Sequence, residues 1–110
     1  MTVRVDKRAS PRIPVKIPLL VEGRDVVHKP IHEITETLLI NDAGALLALA
    51  SELQIHDRIR ITNQTTGGTV MARIAWRSSS QINGRWSYGV ALLDAPENFW
   101  GVQPTPGFRT

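Results

Sequence analysis

The chain has 110 residues, 42% of them hydrophobic, and carries 13 Lys plus Arg against 10 Asp plus Glu for a formal net charge of +3. That length suits one domain burying about two-thirds of the surface its unfolded chain would expose, and the composition excludes disordered and strongly acidic classes. With no cysteine, a disulfide framework, a thiolate zinc site, an iron–sulfur cluster and a catalytic Cys are all excluded.

The N-terminal stretch MTVRVDKRASPRIPVK interrupts each short apolar run with a charge and lacks the continuous apolar segment of a signal peptide, so a cytoplasmic location is expected. The most apolar stretch, Leu38 to Ala50, is broken by Asn41 and Asp42 and falls short of the roughly 20 residues a membrane helix needs. No membrane insertion is expected. The charge is unevenly distributed: Arg4, Lys7, Arg8, Arg12 and Lys16 face only Asp6 in the first sixteen residues, a local balance of +4, and the remainder carries −1. Residues 1–12 read as a basic flexible arm suited to a compact anion, whereas a protein that coats nucleic acid spreads its cations along a face.

Across residues 13–102 the apolar residues repeat with the strand period of two. Ile13, Val15, Ile17, Leu19 and Val21 form the first alternation, where Pro14 and Pro18 remove ladder donors and predict an edge or a bulge. Ile34, Leu38 and Ile40 mark the next strand, and Ala45 to Leu49 is apolar on both faces. Ile59 and Ile61 sit between Arg58, Arg60 and Thr62. Val70, Ala72, Ile74 and Trp76 form the cleanest alternation and are expected to face the core; Trp86, Tyr88, Val90 and Leu92 complete the set. Thr66-Gly67-Gly68 and Asn83-Gly84 supply residues that tolerate positive φ between consecutive strands. Helix is confined to single turns at Ala50 to Ile55 or Pro96 to Trp100, and residues 103–110 read as an unstructured tail. The predicted fold class is all-β, a small antiparallel barrel or sandwich.

Chemistry is sparse. His28 and His32 are four apart, but Pro30 between them disfavours the helical spacing of a zinc site, and with His56 they read as surface histidines, so no metal is expected. Glu33, Glu36, Asp42 and Asp57 show no spacing that pairs two carboxylates. Ser78, Ser79 and Ser80 lack a nucleophile elbow, and Gly67-Gly68 is not followed by the Lys-Ser/Thr of a phosphate loop. The chain is read as a non-enzyme without cofactor. The remaining feature is Arg8-Ala-Ser-Pro-Arg12: an extended chain, favoured before Pro11, projects the two guanidinium groups on one side about 13 Å apart. Such planar forks bind phosphate and guanine, so the pair can wrap a compact nucleotide.

Together, this RxxxR before the first strand, a strand–turn–strand with Gly44-Ala45-Leu46, the Trp76 strand and the Tyr88-Gly89-Val90 strand resemble a PilZ domain over roughly Lys7 to Asp94. The resemblance implies a PilZ-like domain at residues 13–102, a six-stranded antiparallel β-barrel with a short C-terminal helical turn, and a bacterial signalling receptor for cyclic di-GMP. It assigns ligand binding to Arg8 and Arg12 in the arm and to Asn41 and Gly44 in the family's second motif, Asp/Asn-x-Ser-x-x-Gly. There the sequence departs: Asn41 stands at the serine position and Leu39 where the family has Asp or Asn. Leu39 cannot hydrogen-bond a guanine edge, and loss of such a charge-assisted bond costs about 1.5–3 kcal/mol, or ten- to a hundredfold in affinity. Binding is therefore expected to be weak. The alternative is a degenerate PilZ-like module that docks an unknown protein partner instead of a nucleotide, motivated by Leu39 and by Phe99-Trp100. A nucleic-acid-binding barrel of the OB type is disfavoured, because only six aromatics are present and several fall on predicted core positions.

Overall fold

The computed structural model describes residues 12–101, which contain six strands: β1 (Pro18–Arg24), β2 (Pro30–Asn41), β3 (Gly44–Leu49), β4 (Arg58–Asn63), β5 (Thr69–Arg77) and β6 (Trp86–Leu93). Every pairing is antiparallel, and the order β1-β2-β3-β6-β5-β4 closes into a barrel. Closure leaves no edge for the expected edge strand; Pro18, as the first residue of β1, meets its restriction at the strand start instead. Among the described residues no helix is long and apolar enough to cross a membrane.

Alternation fills the interior. Leu19, Val21, Leu47, Leu49, Ile59, Ile61, Val70, Ala72, Ile74, Tyr88 and Val90 are buried, and each large aliphatic among them contributes about 1.5–3 kcal/mol relative to exposure. Leu53 joins this core from the β3–β4 connector, and Phe99 and Trp100 join it from beyond β6. Asn63 fixes the latter pair by donating from Nδ2 to the Phe99 and Trp100 carbonyls, while its Oδ1 accepts from the Thr65 and Thr66 amides. The aromatic pair is therefore a barrel plug, which removes it as an exposed docking feature. Residues 97–100 form a turn, with the Gly101 amide bonded to the Asn98 carbonyl, and no helix occurs among the described residues, whether here or at Ala50 to Ile55.

Two strand irregularities redirect side chains. A register shift between Ile74 and Trp76 turns Trp76 outward, to 50% exposure, where its ring packs over Gly89. The expectation that Trp76 faces the core is thus corrected, because a bulge reverses the alternation. A second shift between Thr37 and Leu39 places Ile40 inside, while Ile34 and Leu38 are exposed. The inward set of β2 is Ile31, Thr35, Thr37 and Ile40. Its buried hydroxyls are satisfied: Thr35 donates to the Ala48 carbonyl, and Thr37 donates to the Val15 carbonyl while accepting from the Ile17 amide. Those bonds hold residues 13–17 against β2 ahead of the strand proper.

The turns match their residues. Gly67 adopts φ 82°, and Asn83 and Gly84 adopt 55° and 78° inside an Ile82–Arg85 bridge, the geometry of a two-residue type I′ hairpin.

Candidate functional site

A pocket of about 350 Å³ lies on the outer face where the β2–β3 turn meets β6 and β5, and Arg12, Leu39, Asn41, Gly44, Ala75 and Gly89 all contribute to its lining. That volume is within the usual range for small-ligand sites. Ile13 brings the basic segment here: it exchanges both backbone bonds with Ile40, at 2.8 and 2.9 Å, so the preceding residue, Arg12, falls opposite Asn41. Three of the four residues singled out from sequence, Arg12, Asn41 and Gly44, therefore meet at one pocket. The fourth, Arg8, lies outside the described residues.

Each of the three has a specific local role. Asn41 Oδ1 accepts from the amides of Ala43 and Gly44, both at 2.9 Å, so its two acceptor positions are filled and only its NH₂ group is of use to a ligand. Gly44 is buried in the ladder, where a Cβ would collide with the Val90 carbonyl; its φ is not in the left-handed region, and the reason for glycine is backbone approach rather than turn conformation. Arg12 is exposed and supplies the positive charge of the described lining.

Leu39 forms part of the wall and pairs with Leu46. From Leu39 onward the register runs without a shift to Asn41↔Gly44, so Asp42 falls in the two-residue turn and is not among the lining residues. The remaining wall is mostly apolar. Trp76, assigned to the core from sequence, instead covers Gly89, itself a lining residue, and so places a half-exposed indole beside the pocket. The signal that could have found it is Gly89 itself, a glycine in an otherwise bulky strand, which marks close approach of a neighbour.

No family model matches the chain, and no curated protein matches it. The geometry therefore carries the functional argument.

Other polar groups have structural employment. Glu33 accepts from the Ala50 and Ser51 amides and from the Ser51 hydroxyl, and Asp57 accepts from the Gln54 amide. The Tyr88 hydroxyl donates to the Ser51 carbonyl and accepts from the Leu53 amide; burial raises its pKa above the ordinary value near 10, opposed by the Leu53 hydrogen bond. His28, His32 and His56 are exposed and separate, and the described residues contain no group of three His, Cys, Asp or Glu able to hold a metal.

Proposed function

We propose that the protein is a non-catalytic PilZ-type receptor module that binds cyclic di-GMP with weak affinity. The observation that carries this reading is the convergence of Arg12, Asn41 and Gly44 on one pocket of about 350 Å³. Arg12 would pair with a phosphate or guanine edge as a planar fork, with Arg8 of the same arm completing the clamp. The Asn41 NH₂ would donate to the ligand, and the exposed Trp76 ring offers a stacking surface for a base. Weakness follows from Leu39, which contributes apolar surface where a carboxylate or amide would meet a guanine N–H. Engagement of the arm's arginines by the ligand would change the surface presented to a partner, which is how binding would become a signal.

Titration calorimetry of the whole chain with cyclic di-GMP tests the proposal. Arg8→Ala and Arg12→Ala are each expected to weaken binding by about ten- to a hundredfold. No heat from the folded wild-type protein would reject a nucleotide receptor. The protein-docking alternative draws on the apolar wall around Leu39 and Leu46, and it predicts that Leu39→Asp weakens partner capture rather than strengthening nucleotide binding.

A further inference from the structure

A separate feature lies on the outer faces of β1, β4 and β5. The β1–β4 ladder ends at Glu22↔Arg60; beyond it Gly23 still lies against Ile59 and the Arg58 carbonyl, and Arg24 and Arg58 line one cleft. On the other side of β4, Arg58 is the direct partner of Arg73. Arg58 and Arg73 thus stand directly opposite each other, about 5 Å apart between neighbouring strands, and Arg24 shares the cleft with Arg58 to extend the row past the end of the β1–β4 ladder.

Like charges directly opposite one another destabilise a sheet. Two other arginines have carboxylate partners: Arg60, in the adjacent row, pairs with Glu22 at 3.2 Å, and Arg77 pairs with Glu52 at 3.2 Å. Among the described residues, Arg58 and Arg73 have no such carboxylate. Arg24 spends one N–H on the His28 carbonyl and keeps the rest of its fork.

The row also borders a cavity. Arg24 and Arg58 line a polar cleft of about 500 Å³, walled by the Asp25–His28 turn on one side and by Gln54 and Asp57 on the other. Both cleft carboxylates are already engaged by backbone amides: Asp25 Oδ1 accepts from Val27 and Lys29, and Asp57 Oδ2 accepts from Gln54. They temper the local charge, yet their bonding holds the two walls in shape.

We propose that this cleft is a second binding site, distinct from the Arg12 pocket, and that it takes a compact polyanion of the diphosphate class. A diphosphate presents several oxygens over a few ångströms, which matches guanidinium forks set side by side, and bidentate arginine contacts favour it over a single carboxylate. The walled cleft suits a short ligand better than a continuous nucleic-acid backbone.

Inorganic pyrophosphate is the probe. Titration of the whole chain, followed by calorimetry and by thermal melting, is expected to show saturable binding that raises the melting temperature. Arg24→Ala and Arg58→Ala should each weaken it about tenfold or more, whereas Arg85→Ala, in the Asn83–Gly84 hairpin, should leave it unchanged. Without ligand, Arg58→Gln should melt slightly above wild type, because the Arg58–Arg73 repulsion is gone. Cyclic di-GMP binding should be indifferent to Arg58→Ala, so failure at one site is separable from failure at the other. The proposal is overturned by absence of saturable pyrophosphate binding, by binding that survives Arg24→Ala and Arg58→Ala, or by a single-stranded oligonucleotide that binds through these arginines while pyrophosphate does not.

Discussion

The Arg12 pocket and the arginine row are built on opposite terms. Around the pocket the backbone does most of the shaping: Gly44 packs against Val90, Asn41 closes its own turn, and the walls are largely Leu, Ala and Val, with Arg12 the charged residue of the described lining. The row sets its arginines beside a polar cleft in which Arg24 and Arg58 meet Asp25 and Asp57, whose oxygens are engaged by backbone amides, with Arg73 across β4 from Arg58. A ligand in the pocket would gain from desolvation and shape and would need the N-terminal arm to meet its phosphates. A ligand on the row would gain from Coulomb attraction, which salt screens over about 10 Å at 0.1 M. Net charge therefore says little about how charge is placed, since the described body sets a lone Arg12 at one pocket and arginines among aspartates at the other.

The largest effect should come from Gly44→Ala, which forces a methyl group against the Val90 carbonyl. A loss of about 3 kcal/mol is expected in urea unfolding, because backbone on both sides must move. An unchanged midpoint would mean that the β3–β6 approach is not what shapes the pocket.

Tyr88→Phe probes the side of the barrel that supports the cleft, since the Tyr88 hydroxyl holds the β3–β4 connector through Ser51 and Leu53. Removing it takes the partner from the buried Leu53 amide and from the half-buried Ser51 carbonyl and should cost about 1–3 kcal/mol near neutrality. The wild type should also lose stability at alkaline pH. The folded pKa of Tyr88 is raised, so above about 10 the unfolded chain releases its proton first, and stability declines as pH climbs toward the folded value. Denaturant titrations from pH 8 upward should show this decline in wild type and less of it in Tyr88→Phe; equal slopes would contradict the assignment.

Leu39→Asp offers a finer adjustment, placing a hydrogen-bonding group on the pocket wall. About a tenfold gain in cyclic di-GMP affinity is expected, with pyrophosphate binding at the row unaffected. A loss of nucleotide affinity would instead favour the apolar docking surface.

Much of the barrel was legible residue by residue. The alternations at Ile59-Ile61, Val70-Ala72-Ile74 and Tyr88-Val90 place their side chains inside, and Gly67, Asn83 and Gly84 take the positive φ that their turns require. Of the site, Arg12, Asn41 and Gly44 were legible as candidates, and the structure brings them to one pocket. The outward turn of Trp76 and Leu38 was not legible, because each lies at a register shift, and a single extra residue in one strand reverses which face follows.

By itself, then, the sequence determined the all-β character, the turn positions and the apolar stripe of most strands, since these depend on local periodicity and on the φ preferences of single residues. The tertiary structure decided barrel closure, the outward turn of Trp76, the engagement of the Asn41 oxygen, and the requirement for glycine at position 44. It also decided that Arg58 stands opposite Arg73 and shares a cleft with Arg24, 34 positions away in the chain. Those outcomes depend on which residue of a neighbouring strand lies opposite, and that register is set by pairings between distant segments.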